Sequence, residues 1–112
     1  MSINSYLVKE ILKSVKIEVD DLDERFDYVY SKNFNVILNH LLKFDELPYF
    51  RSVENFKKEI DEFKDIFQEF KSFIKLCDDE YVDEWIKYGL FSADIIIAKL
   101  DYIASLYSEV KL

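Results

Sequence analysis

The chain has 112 residues, of which 50% are hydrophobic and 17% aromatic, and it carries a net charge of −8. That length suits one domain with a single core, and that hydrophobicity excludes a disordered chain. One glycine and one proline are too few for a sandwich or barrel with many tight turns. The sequence therefore predicts an all-α fold, a single up-down bundle of four helices over residues 1–112, or five if the last helix breaks at Gly89.

The first helix is predicted over residues 4–16, and a second is predicted to begin at Asp20, which would cap it and place further acids in its first turn. The apolar residues predicted to share the inner face of the first helix are Ile3, Leu7, Ile11 and Val15, with Leu12 beside them. The second helix is predicted to continue to about residue 44, bent or broken at residues 31–33. Its apolar residues are Leu22, Phe26, Val29, Val36, Ile37, Leu41 and Phe44.

Residues 45–51 hold the only proline and are predicted to form a loop, after which Ser52 caps a third helix that runs to about residue 76. Its buried residues recur at spacings of four and three, the pattern of a left-handed bundle: Phe56, Ile60, Phe63, Phe67, Phe70 and Ile74. Asp78 or Asp79 is expected to cap the last helix. The inward-facing residues predicted there are Ala93, Ile96, Ile97, Leu100, Ile103, Ala104 and Tyr107.

No pattern of catalytic or ligand-binding residues is visible. With His40 as the only histidine and Cys77 as the only cysteine, ordinary zinc and di-iron sites are excluded. A glycine-rich phosphate loop needs more than Gly89. We expect no enzyme, no catalytic residue, no metal and no cofactor.

Cysteine content, hydropathy and charge predict the localisation of the protein and argue against two classes of partner. The lone cysteine and a first segment without a continuous apolar core predict a cytoplasmic protein. No run approaches the roughly 18 apolar residues of a membrane span. The acidic balance argues against direct binding of nucleic acid or an anionic membrane, because both would repel it.

The carboxylates collect in two segments. Residues 18–27 read EVDDLDERFD, and residues 78–84 read DDEYVDE, each with aromatic residues inside or just after it. Carboxylates attract a basic protein surface and rings give anchoring area. Both segments are predicted at helix starts, and the second and fourth helices of an up-down bundle start at the same end, so we expect one shared surface. The alternative is that these acids only complement helix dipoles, with the tyrosines lining the core.

In size, acidity and clusters such as residues 20–24 (DDLDE) and 78–81 (DDEY), the chain resembles the immunity proteins that neutralise bacterial nuclease toxins in bacteriocin or contact-dependent inhibition systems. The resemblance is one of type and involves no shared motif. It implies that carboxylates and rings cover a basic nuclease surface and so block the toxin. The expected partner-binding residues are Asp21, Asp23, Asp27, Tyr28, Tyr81, Asp83, Glu84 and Trp85.

Two other functions fit the same sequence. A phage-encoded nucleic-acid mimic, such as an anti-CRISPR protein, would use the same electrostatics on a different target. A structural bundle would form a homo-oligomer through an apolar face and use its acid for solubility. Charge reversal in the acidic segments separates these functions, because it would weaken binding of a basic partner and leave self-association unchanged.

Overall fold

The computed structural model describes residues 3–26, 34–76 and 83–109, and this part of the chain is almost entirely helical. The elements are α1 (Ile3–Phe26), α2 (Phe34–Leu42), a short 3₁₀ helix (Pro48–Arg51), α3 (Val53–Lys75) and α4 (Asp83–Glu109). The prediction of an all-α bundle of four helices is confirmed for these residues. The caps predicted at Asp78 and Asp79 lie outside the described part.

Polar contacts fix α1 antiparallel to α2. Near the end of α1, Asp23 accepts a hydrogen bond from the Asn35 side chain at the start of α2, at 2.6 Å. Near the beginning of α1, Lys9 pairs with Asp45 just after α2, at 2.9 Å. The two helices therefore run in opposite directions along each other.

The helices α3 and α4 are also antiparallel. Lys64 on α3 pairs with Asp101 on α4 at 2.8 Å. Two turns further along α3, Lys71 pairs with Asp94, which comes earlier on α4. The hydrogen bond that Lys64 donates to Asp101 is the main cause that raises the pKa of Lys64 above its ordinary value of 10.5. These pairs lie at the rim of the α3–α4 contact and fix its register.

One hydrophobic core joins all four helices. Phenylalanine rings dominate it: Phe34 of α2 stacks on Phe67 of α3 at 4.7 Å between centroids, and Phe26 of α1 meets Phe70 edge-on at 5.1 Å. The α3 residues predicted from the four-and-three spacing are all buried. The core residues of α1 show the same spacing, and they are Val8, Leu12, Val15, Val19, Leu22 and Phe26.

Two predictions about the first half of the chain are wrong. The first helix does not end near residue 16 and no helix starts at Asp20, because Val15, Val19 and Leu22 continue one buried stripe without interruption. The inner face of α1 also differs in part from the predicted face: Leu12 and Val15 are buried as predicted, but Leu7 and Ile11 are only half-buried, and Val8 is buried although it was not predicted.

The predicted long second helix is also wrong. Leu22 and Phe26 belong to α1, and α2 contains only nine residues, with Phe34, Leu38 and Leu41 buried. Ser52 does cap α3, because its hydroxyl accepts a hydrogen bond from the Asn55 backbone N–H at 3.4 Å.

The last helix is continuous through Gly89, so the five-helix alternative is not seen in the described residues. Gly89 has no positive φ. A Cβ there would lie 2.7 Å from Phe26 Cζ and 2.9 Å from Ile74 Cδ1. The residue is glycine because α4 packs closely on the ends of α1 and α3.

Candidate interaction site at the end of α1

The end of α1 lies against the beginning of α4. The Arg25 guanidinium is 4.4 Å from the centre of the Tyr88 ring, a cation–π contact, and the Phe26 ring fills the space left by Gly89. The described parts of the two acidic segments therefore lie at the same end of the bundle. They lie there because α1 ends where α4 begins, and not because two helices start there as predicted.

Four carboxylates occupy the last two turns of α1, and we call them the acidic end: Asp20, Asp21, Asp23 and Glu24. Asp20 is 53% exposed and 3.5 Å from Lys16, and Glu24 is exposed. These two side chains present negative charge to solvent.

The other two members of the acidic end are less exposed, and their internal contacts are shorter than the Asp20–Lys16 pair. Asp21 pairs with Arg25 at 3.2 Å, so the base that lies on Tyr88 also neutralises one carboxylate. Asp23 is half-buried and accepts the Asn35 hydrogen bond that ties α1 to α2. Their first role is structural, and their charge contributes to the local potential rather than to direct contacts.

The acidic end lies at the wrong end of its helix for dipole stabilisation. A helix carries partial negative charge at its C-terminus, so carboxylates in the last turn are disfavoured there by about 0.3–1 kcal/mol each. Asp23 and Glu24 are in that turn, with Arg25 as its only base. The alternative that these acids merely complement a helix dipole therefore does not apply to this segment.

The structure describes only some of the predicted partner-binding residues. Asp21 and Asp23 are the internally paired residues above, and Glu84 is exposed in the first turn of α4. Asp83 and Trp85 belong to the same turn, but their side chains are outside the described part. Three further predicted residues lie wholly outside it: Asp27, Tyr28 and Tyr81.

Asp20 and Glu24, the two most accessible carboxylates of the acidic end, were not among the predicted partner-binding residues. The contact of Arg25 with Tyr88 was not predicted either. The signal for the first was present, since a four-and-three seam that continues to Phe26 puts Asp20 and Glu24 on the outer face of α1. The contact between α1 and α4 had no local signal.

The described residues show no arrangement typical of a metal site or a catalytic centre. No group of three or more His, Cys, Asp and Glu side chains among them is placed to hold a metal ion. His40 is exposed and packs at 4.8 Å against the Phe50 ring, while Cys77 is outside the described part.

Comparison with protein-family models, with curated proteins and with solved structures finds no match to this chain. Within residues 3–26, 34–76 and 83–109, no helix combines the length and the apolar character needed to cross a membrane. The geometry of the acidic end and the charge of the chain are therefore the observations from which a function is argued.

Proposed function

We propose that this chain is a non-enzymatic, cytoplasmic inhibitor that binds a basic protein, in the manner of an immunity protein that neutralises a nuclease toxin. The acidic end of α1, together with Glu84 at the start of α4, forms the binding surface. Asp20, Glu24 and Glu84 make the direct contacts, since they are the exposed carboxylates among the side chains that the structure describes there. Asp21 and Asp23 hold α1 in position and add to the negative electrostatic potential of this surface.

The mechanism is electrostatic and steric. A nuclease binds its substrate through arginine and lysine side chains that contact phosphates. Carboxylates on a rigid helix end attract the same side chains, and paired charges raise the association rate more than they raise affinity. The bound bundle then occupies the substrate surface and blocks catalysis without chemistry of its own.

The position of the acidic end on α1 is the observation that carries this proposal. The net charge of −8 opposes folding through self-repulsion, and last-turn carboxylates oppose the dipole of their own helix. Contacts within the fold account for Asp21 and Asp23, but they do not account for the exposed Glu24 in the last turn, whereas a basic partner does.

Co-expression tests the proposal in a bacterial host. The product of the gene next to the one for this chain is expressed alone and together with the chain, and growth is measured. We expect growth arrest by the neighbour alone and relief by the chain, with a stable complex of the two purified proteins. Absence of arrest by either neighbouring product, or arrest that the chain does not relieve, would contradict the proposal.

A pair of matched variants assigns the surface. Asp20→Lys with Glu24→Lys should abolish the relief of growth arrest. The control is Glu62→Lys with Asp65→Lys, two exposed carboxylates on α3. Both double variants change the net charge equally, so only the position of the change differs. Equal loss of protection in both would show that total charge matters and that the acidic end is not the site.

A further inference from the structure

The outward face of α4 carries an apolar stripe that the described chain leaves mostly uncovered. Phe91 is 66% exposed and Tyr102 is 51% exposed, Ala98 is exposed, and Ile95 is half-buried. We call these four residues the α4 seam. They lie opposite the core face of the helix, whose buried residues are Ala93, Ile96, Leu100 and Ile103.

The spacing of the seam is that of a helix-packing interface. Phe91, Ile95, Ala98 and Tyr102 are separated by four, three and four residues, so they occupy alternating a and d positions of a heptad. Single exposed apolar residues, such as Tyr6 and Ile17 on α1, are ordinary on protein surfaces. A periodic row over three turns is different, because it matches the surface of another helix.

The charges beside the seam indicate which helix that is. Between residues 87 and 105, α4 carries Lys87, Asp94, Lys99 and Asp101, which sum to zero. Asp94 lies at a g position and Lys99 at the e position five residues later. Asp94 pairs with Lys71 of its own chain, yet its side chain remains 59% exposed. In a parallel pair of helices, a g residue meets the e residue five positions further on in the partner, and these charges set orientation.

We propose that two copies of this chain associate side by side through the α4 seam, parallel and in register about a two-fold axis. Each seam residue then meets its own counterpart, with the β-branched Ile95 at an a position that favours two strands. Asp94 of each copy pairs with Lys99 of the other. In the antiparallel arrangement with the seam residues opposed, Asp94 would instead face Asp101 of the second copy, which is repulsive.

The dimer is weak and concentration-dependent. A stable interface buries about 1,200–2,000 Å² in total, and one four-residue seam contributes only part of that. The net charge of −8 on each copy also opposes association. The inference does not rest on the proposed function, because the seam and the acidic end are different surfaces.

Sedimentation equilibrium of the whole chain tests for the dimer. The apparent mass should rise from 13.5 kDa towards twice that value as concentration increases. Phe91→Glu should keep the protein monomeric throughout, whereas Tyr6→Glu, at a residue of similar exposure on α1, should behave as the wild type. Circular dichroism checks that both variants remain helical. A wild-type protein that stays monomeric up to about 1 mM, or equal behaviour of the two variants, would overturn the proposal.

Cysteine cross-linking tests the orientation. In a Cys77→Ser background, Ser105→Cys adds a thiol at the next d position of the seam. A parallel dimer brings the two thiols together, and oxidation should give a covalent dimer. An antiparallel dimer would separate them by about 25 Å, from 1.5 Å per residue. The control is Ser72→Cys on the exposed face of α3. A dimer whose Ser105→Cys form cross-links no faster than the control would contradict the parallel arrangement.

A charge swap tests the pairing of Asp94 with Lys99. Lys99→Asp alone should weaken dimerisation at least tenfold, because two carboxylates then face each other. Because Asp94 also pairs with Lys71 of its own copy, its charge is reversed together with that of Lys71. Lys71→Glu with Asp94→Lys and Lys99→Asp should restore most of the dimerisation, and a triple variant that remains helical by circular dichroism but dimerises as weakly as Lys99→Asp would refute the pairing.

Discussion

Gly89 illustrates how one residue sets the distance between three helices. Its backbone is ordinary helix, so the reason for glycine is space and not conformation. The side chains of Phe26 and Ile74 approach to within contact of the missing Cβ position. The same close approach brings the end of α1 against α4 and so positions the acidic end.

Gly89→Ala should destabilise the protein. Overpacking a tight contact costs about 1–3 kcal/mol, and the higher helix propensity of alanine returns about 1 kcal/mol. We expect a net loss of about 1 kcal/mol in the free energy of unfolding, measured by urea denaturation. In a Phe26→Leu background the loss should shrink, since leucine lacks the ring atom that lies closest. Greater stability of Gly89→Ala in the wild-type background would contradict this packing account.

At the scale of the element, α1 and α3 show why one helix was predicted correctly and the other was not. Both have six core residues at spacings of four and three. In α3 these residues are aromatic or isoleucine and the helix starts at a serine cap, so the pattern is unmistakable. In α1 the core is mostly valine and leucine, and the acidic residues at 18–24 resemble those of the first turn of a helix.

The candidate site was predictable only in part, for a related reason. The sequence shows that acidic residues are concentrated at residues 18–27, but the carboxylates that face solvent can be identified only when α1 is known to be continuous. Dividing α1 near residue 16 placed Asp21 and Asp23 among the binding residues and left out Asp20 and Glu24. The internal partners Arg25 and Asn35, the second from another helix, could not be assigned without the fold.

The helix dipole gives a test of the acidic residues at the C-terminal end of α1, where negative charge is disfavoured. Glu24→Gln removes a carboxylate from the last turn and should leave stability unchanged or raise it by about 0.3–0.5 kcal/mol. Glu54→Gln removes one from the first turn of α3 and should lower stability by a similar amount. Thermal unfolding of the two variants at low salt measures the difference. A loss of stability in Glu24→Gln as large as that in Glu54→Gln would mean that Glu24 has a structural role.

The contact between α3 and α4 predicts a pH dependence. Lys64 has a pKa raised above 10.5, chiefly by its hydrogen bond to Asp101. Its contribution is therefore complete below pH 10.5 and is lost as pH rises through the folded-state pKa. Because the pair is partly exposed, the effect is about 0.2–1 kcal/mol.

The measurement is the difference in unfolding free energy between the wild type and Lys64→Met as a function of pH. The difference should be constant in the neutral range and should fall above pH 10.5. In an Asp101→Asn background most of this fall should disappear, since the main cause of the shift is gone. An unchanged alkaline fall in that background would show that Asp101 does not hold the proton on Lys64.

At the scale of the molecule, the bundle measures 50 × 22 × 20 Å and has two distinct surfaces. The acidic end occupies one pole and the α4 seam follows the long side. A parallel dimer would bring two acidic ends to the same pole, which doubles the charge presented to a basic partner and adds to the repulsion between copies.

The two surfaces should respond to salt in opposite directions. Dimerisation should strengthen as sodium chloride rises, because screening reduces the repulsion between two chains of charge −8. Sedimentation at low and high ionic strength measures this dependence. A dimer that dissociates as salt increases would mean that ion pairs, and not the apolar seam, dominate the contact.

The association rate of the chain with its basic partner, measured by stopped-flow fluorescence across a range of ionic strength, tests the central claim most directly. Steering by the acidic end predicts a rate that falls steeply with salt. Asp20→Lys with Glu24→Lys should lower the association rate at low salt by at least tenfold and flatten its dependence on salt. Glu62→Lys with Asp65→Lys should keep most of the rate and most of its salt dependence. Equal rates and equal slopes for the two double variants would contradict the assignment of the acidic end as the binding surface.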